Sequence, residues 1–344
     1  MGGNALKQFG IESKRITKGE YQKVWDHVKL LLQNPKYGFE YELIPSYANK
    51  PDFGDMDVLV SEWDENIQKD ILKHLDSKAY YKNGSCLSAE YNGFQIDFIH
   101  APLEHFDFSL NYYSYNDLGN LIGRVAHKMG LKFGHDGLHY VLRDGTHVLK
   151  TITLTTTFIE ALSFLRYDYR KFYDGDFLEL EDIFKYASSS PYFNKKIYNL
   201  DNRNAISRER DRKRKTYMEF LKWVELPEQA SLPAFDWNSD KAVYLPLIFD
   251  YFPHFKVQYE LALEQERKRK LVKEKFNGEF VGAWTGLQGP LLGHFISYLN
   301  SLSWWTEFVL HVPVTQVEAF VKEEIKTWKE KNNKQQFTQV LSHY

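Results

Sequence analysis

The sequence predicts an α+β fold: a mixed β-sheet flanked by helices, followed by a mostly helical C-terminal domain. Three observations predict it. Short strand-like runs between Glu40 and Ile99 are interleaved with a helix-like run, the pattern of a small sheet that carries helices on its surface. The dipeptides Asn92-Gly93 and Asp144-Gly145 sit between strand-like runs, where tight hairpin turns need residues tolerant of positive φ. From about residue 155 onward helical patterns dominate.

Each element has its own justification. Residues 14–35 predict an amphipathic helix, because Tyr21, Val24, Trp25, Val28, Leu31 and Leu32 recur at helical spacing and Asn34-Pro35 ends the run. Glu40–Ile44 is a short strand, Ser46–Gly54 a polar turn and Met56–Val60 a second strand. A helix follows over 66–76. Tyr80-Tyr81, Leu87–Tyr91 and Phe94–Ile99 are strands. Asn116–Met129 is helical, and Gly137–Leu142 with His147–Thr151 form a hairpin. Helices are expected over Glu179–Ala187, Arg208–Val224, Leu245–Phe252, Gln258–Phe276, Leu291–Leu302 and Val317–Lys331. Gly289-Pro290 would open one of them, since proline suits a first helical position. The composition shift places a domain boundary at 172, giving domains 1–172 and 173–344.

Bulk properties exclude several classes. The 344 residues suffice for two domains with their own cores. No apolar run approaches the roughly 18 residues of a membrane span, so no membrane partner is expected. The opening MGGNALKQFG lacks a secretory apolar core. Cys86 is the only cysteine, which excludes an intrachain disulfide and a thiolate zinc cluster and suits the cytoplasm. The net charge of −2 does not advertise polyanion binding, but charge is unevenly placed. Arg203, Arg208, Arg210, Arg212, Lys213, Arg214 and Lys215 crowd one segment, and local patches decide such binding.

The chemistry concentrates in Phe53-Gly-Asp-Met-Asp-Val-Leu-Val60. In a strand, residues i and i+2 share a face, so Asp55 and Asp57 stand side by side while Met56 and Val58 face the core. Neighbouring carboxylates repel, and Mg²⁺, a hard cation that prefers oxygen ligands, resolves the repulsion. Asp97 in Phe94-Gln-Ile-Asp-Phe-Ile99 adds a third carboxylate among apolar neighbours, costly to bury without a purpose. Three carboxylates on adjacent strands suit two metal ions roughly 3.5–4 Å apart. Mn²⁺ could replace Mg²⁺.

Gly54–Leu59 (Gly-Asp-Met-Asp-Val-Leu) resembles the catalytic motif of the X family of DNA polymerases, the polymerase beta family. Lys14-Arg15-Ile16 resembles that family's Lys-Arg-Ile at the start of a palm helix. Tyr112-Tyr113 is similar to its aromatic pair beside the nucleotide sugar. Asn120 and Arg124 fall on the Asn-x-x-x-Arg pattern of its nucleotide-sensing helix, with Asn120 23 positions after Asp97. The resemblance covers about 14–172. It implies a nucleotidyltransferase palm in which Asp55, Asp57 and Asp97 bind both metals and Asp97 helps activate a 3′-hydroxyl. Arg15, Ser46 and Gly54 would hold the triphosphate, and Tyr112, Tyr113, Asn120 and Arg124 would face the nucleotide.

The chain departs from the family at defined points. Pro45 replaces the motif glycine, Asn49 stands at a phosphate-binding arginine, and Tyr115-Asn116 replaces the Gly-Ser turn that helps select deoxyribose. About 13 residues precede the match, which leaves no room for the family's lyase domain and its DNA-gripping hairpins. In their place Arg208, Arg212 and Lys215, read as one helical face, would follow a phosphate backbone. The expectation is therefore a metal-dependent nucleotidyltransferase that adds nucleotides from a nucleoside triphosphate to a DNA or RNA 3′ end, foremost a polymerase without the lyase domain. The alternatives are an RNA 3′-end tailing or repair transferase and a non-catalytic nucleic-acid-binding or assembly protein.

Overall fold

The computed structural model describes residues 5–175 and 177–341, with side chains to Lys331. Among the described residues the strands run β1 (Ile16–Thr17), β2 (Tyr41–Leu43), β3 (Asp52–Phe53), β4 (Asp55–Val60), β5 (Tyr80–Asn83), β6 (Cys86–Tyr91), β7 (Phe94–His100), β8 (Leu131–Gly134), β9 (Gly137–Asp144) and β10 (His147–Thr155). The helices of the first half are α1 (Lys18–Leu32), α2 (Glu65–His74), α3 (Phe106–Tyr113), α4 (Leu118–Lys128), α5 (Phe158–Phe164), α6 (Tyr169–Tyr173) and α7 (Leu180–Ala187). Those that follow are α8 (Ala205–Arg212), α9 (Lys215–Trp223), α10 (Leu245–Tyr251), α11 (Pro253–Lys275), α12 (Gly278–Thr285), α13 (Gly289–Asn300), α14 (Trp305–His311) and α15 (Val314–Leu341). The fold is α+β, with a mixed five-stranded sheet and a helical C-terminal part.

The central sheet has the order β2-β4-β7-β6-β5. β4 and β7 are parallel, and every other pairing in the sheet is antiparallel. Alternation along the strands decides the faces. Met56, Val58 and Val60 join Leu87, Ala89, Ile96 and Phe98 in one core with Val28 and Leu32 of α1 and Ile71 of α2. The other face carries Asp55, Asp57 and Asp97 toward one end and Leu59 and Ile99 toward the other. β8, β9 and β10 form a separate antiparallel sheet.

Local chemistry sets the helix ends. The helix expected from residue 14 starts at Lys18, because Ile16–Thr17 pair with Asp52–Phe53 and Thr17 closes a capping box with Glu20. Thus Arg15 lies ahead of the helix. α3 had no helical forecast: its aromatic run Phe-Asp-Phe-Ser-Leu-Asn-Tyr-Tyr has weak helix propensity. Packing holds it, with Phe108 against Phe133 and Phe158 at 5.5 and 5.2 Å.

The single helix expected over Arg208–Val224 is two helices, α8 and α9, broken at Lys213-Arg214. Arg214 leaves the helical conformation (φ −89°, ψ 105°) and ion-pairs with Asp117 at 2.5 Å. The basic residues expected on one helical face are therefore split between two helices.

The chain divides into two compact units, Met1–Phe255 and Lys256–Tyr344. The boundary expected at 172 lies inside α6, within the first unit. Aromatic packing runs straight across it: Phe172 meets Phe158 at 4.9 Å and Tyr186 at 6.0 Å. In the second unit, Phe276, Val281, Phe295, Trp305, Val309 and Val321 form the core. α13 opens with the expected proline. The Lys275 ammonium donates to the carbonyls of Val309, Leu310 and Val312 at 2.8–3.1 Å, which satisfies carbonyls at the C-terminal end of α14.

Candidate metal and nucleotide site

Strand register builds the site. On the polar face, three rows cross β4, β7 and β6: Asp55–Gln95–Glu90, then Asp57–Asp97–Ser88, then Leu59–Ile99–Cys86. The last row is apolar in β4 and β7, and packs with Ile44, Phe106 and Leu110 in a small second core. The first two rows hold the carboxylates. One oxygen from each of Asp55, Asp57 and Asp97 lies within 4.8 Å of the others. Asp97 is buried, and Asp55 and Asp57 are half-buried.

Electrostatics make this cluster unfavourable by itself. Burial, then the nearby Asp55 carboxylate, pushes Asp57 up to about 7. Burial also pushes Asp97 up to about 6, against hydrogen bonds from Ser88 and Gln95 that favour its charged form. The Gln95 amide donates to both Asp97 oxygens at 2.9 and 3.0 Å. Three converging oxygen donors with excess negative charge fit a hard divalent cation.

The pH dependence has a definite sign. Asp57 and Asp97 titrate above their unfolded value in the native state, so the folded chain binds more protons than the unfolded one between about pH 4 and 7. Stability falls as pH rises through that window. In chelator, wild type is therefore expected to lose thermal stability relative to Asp57→Asn as pH rises from 4.5 to 7.5. Parallel melting curves across that range would contradict the buried charge.

Cations from three segments, Arg15, Lys50 and Lys215, gather around the loop before the carboxylates. Arg15 pairs with Asp52, an exposed contact that contributes little to stability. Lys50 Nζ lies 4.6 Å from the centre of the Phe53 ring. Burial lowers the Lys50 pKa while Asp55 and Asp57 draw it back up. Lys215, at the start of α9, is near enough to hold the Asp52 carboxyl down behind the stronger effect of Arg15. Ser46 is half-buried, and its hydroxyl has no hydrogen-bond partner among the described residues. Gly54 is buried, and its carbonyl accepts from Ser13 Oγ at 2.7 Å. Ser13 Oγ also accepts from Gln95 N at 3.0 Å, so one hydroxyl clasps the starts of β4 and β7.

The departures at 45 and 49 have structural consequences. The Pro45 carbonyl accepts from Tyr115 N at 2.8 Å. Asn49 Nδ2 donates to Glu179 Oε1 at 2.7 Å, and Ala48 N and Asn49 N donate to Phe177 and Leu178 carbonyls. Asn49 is thereby engaged in anchoring the loop. Tyr115 and Asn116 both adopt positive φ, 59° and 62°, at a steric cost to residues with side chains. Tyr115 packs on Phe177 at 4.3 Å, and Asn116 Nδ2 reaches Thr216 Oγ1 at 3.4 Å.

Tyr113 stacks on His135 at 5.9 Å. Its phenol pKa is raised, first by burial, with Cys86 and Asp57 among the neighbours that add to it. Tyr112 packs behind it against Phe133. Gly119 fixes that arrangement, since a Cβ there would lie 2.2 Å from the Tyr112 carbonyl. Gly119→Ala is expected to cost about 1–3 kcal/mol by overpacking, read from denaturant unfolding. A neutral effect would mean α3 can withdraw from α4.

The remaining forecast residues are spread more widely. Asn120 and Arg124 sit one turn apart on α4, and Asn120 Nδ2 and Arg124 Nε are buried without a hydrogen-bond partner among the described residues. Arg124 Nη2 reaches the Ile197 carbonyl at 3.4 Å. Arg208 donates to the carbonyls of Leu200 and Arg203 at 3.1 and 3.0 Å, so its guanidinium is used within the fold. Arg212 and Lys215 are exposed.

Sequence reasoning missed Lys50, Gln95 and Ser13. Gln95 had a readable signal, being two residues before Asp97 on the same strand face. Nothing periodic marked Lys50 or Ser13, which reach the site from irregular segments. Compared with models of known protein families and with curated proteins, the chain matches none.

Proposed function

We propose that this protein is a divalent-metal-dependent nucleotidyltransferase, which adds nucleotides from a nucleoside triphosphate to a nucleic-acid 3′-hydroxyl and releases pyrophosphate. One observation carries the reading: Asp55, Asp57 and Asp97, on adjacent parallel strands, bring carboxylate oxygens within 4.8 Å of one another. Its sequence support is the resemblance of Gly54–Leu59, Tyr112-Tyr113 and Asn120–Arg124 to the X family of DNA polymerases. Mg²⁺ is the expected metal, two ions with Mn²⁺ able to substitute. Held there, the metal supplies charge neutralisation and Lewis acidity toward phosphoryl oxygens and the attacking hydroxyl.

The protein's own groups have separate tasks. Gln95 and Ser88 orient Asp97. Arg15, Ser46, Lys50 and Lys215 offer donors around the loop that would receive the triphosphate. Release of Arg15 from Asp52 costs little, because both side chains are about half exposed. Tyr113 borders the carboxylates beside the nucleotide. The acceleration comes from in-line positioning and from charge stabilisation in a partly desolvated site.

Primer extension with Mg²⁺ tests the reading, using dNTPs or NTPs on a templated DNA primer and on a bare RNA 3′ end. Template-directed dNTP incorporation assigns a DNA polymerase, and incorporation on RNA alone assigns an RNA 3′-end transferase. No incorporation on either strand overturns the proposal.

A further inference from the structure

α4 leads away from the site turn and ends in a cluster of bases. Arg124, His127 and Lys128 lie on its last turns, with Arg124 and Lys128 at i and i+4, about 5–6 Å apart between Cβ atoms. Lys241, more than 100 residues later, closes over the end of the same helix. A side-chain carbon placed on Gly130 would lie 3.6 Å from Cβ and Cδ of Lys241. None of the four forms an ion pair among the described residues. Exposed lysines elsewhere in the chain do, as Lys195 with Glu225 and Lys213 with Glu209 show.

The four groups also affect one another. Burial lowers the Lys241 pKa, and Lys128, Arg124 and Arg143 lower it further. Desolvation and then Lys241, Arg124 and Lys128 push the His127 imidazole down to about 4, so it is uncharged near neutral pH and only the arginine and the two lysines carry charge. Uncompensated like charges raise the energy of the free protein, and an anionic ligand would lower it.

We infer that Arg124, Lys128 and Lys241 form a cationic track for the phosphodiester backbone of a nucleic-acid strand, with the neutral His127 between them on α4. The strand runs along α4 toward the turn that carries Tyr113. Arg124 and Lys128 one helical turn apart, with Lys241 beyond the helix end, match a polymer with repeated charges better than a single small anion. The strand's destination at the carboxylates rests on the transferase reading proposed above, whereas strand binding itself does not.

Fluorescence anisotropy of labelled single-stranded DNA and RNA 12-mers, with neither metal nor triphosphate present, tests the track. Lys128→Gln/Lys241→Gln is expected to raise Kd roughly tenfold at low salt. It should also reduce the slope of log Kd against log[salt] by about 1.4, two contacts at about 0.7 each for a single strand. The control Lys23→Gln/Lys29→Gln makes the same charge change on exposed positions of α1 and should shift Kd less than twofold. Equal losses in both variants, or none in the first, overturn the track. So does displacement of the oligonucleotide by poly-glutamate at equal charge, which would assign the surface to acidic proteins. Asp97→Asn separates the two proposals: loss of incorporation with unchanged anisotropy leaves both standing. Absence of incorporation in wild type, with the Lys128/Lys241 effect intact, removes only the transferase.

Discussion

Asp97→Asn is expected to lower Mg²⁺-dependent nucleotide incorporation by about a thousandfold, or ~4 kcal/mol of transition-state stabilisation. The substitution keeps the shape of the side chain but removes the charge. Asp97 is the most buried of the three carboxylates and lies in register between Asp57 and Ser88. It is also the one whose two oxygens are held by the Gln95 amide. Mg²⁺ affinity, read by titration calorimetry, should fall together with activity. Thermal stability in chelator should hold or rise, because one of three mutually repelling acids is gone. Activity within tenfold of wild type would remove Asp97 from the chemistry and with it the proposed site.

The second large effect lies outside the site. Arg203 and Asp211 form a buried ion pair, with Asp211 fully enclosed. Arg203 also donates to the Tyr217 hydroxyl, which in turn donates to the Tyr198 carbonyl at 2.6 Å. Arg203→Met would leave Asp211 inside with only the half-exposed Arg210 at 3.2 Å. A cost of about 3–5 kcal/mol in urea unfolding is expected, as when one partner of a buried pair is removed. The double variant Arg203→Met/Asp211→Leu should recover much of that loss, since no charge is then stranded. If the double variant is as unstable as the sum of the singles, the pair is not the source of the effect. This network holds the end of α8 beside the start of α9, and so places Lys215 near the loop of Asp52.

Several elements were legible because their signals are local. The alternation in Asp55–Val60 fixed a strand with carboxylates on one face and Met56 and Val58 on the other. Asn92-Gly93 fixed the hairpin between β6 and β7, and both residues adopt the positive φ that such a turn needs. The capping pair Thr17–Glu20 was written in the chain as well, yet the helix was expected from residue 14 and starts at Lys18. Pairing of Ile16–Thr17 with a segment some 35 residues later decided that end. α3 escaped notice because its aromatic run gives no helical preference of its own.

By itself the sequence determined which residues could carry the chemistry: three aspartates in strand-like segments, a polar loop ahead of them and an α+β pattern around them. Spacing of two in a strand and near four in a helix is a property of the backbone alone, so it can be read without coordinates. Only the tertiary structure decided that β4 and β7 are parallel neighbours in a register that sets Asp57 beside Asp97. It also decided that Arg208 serves the fold, that Lys50 and Gln95 attend the carboxylates, and that Lys241 completes a cluster begun on α4. Those outcomes depend on which surfaces bury against each other over long sequence separations, and such packing leaves no periodic mark in the chain.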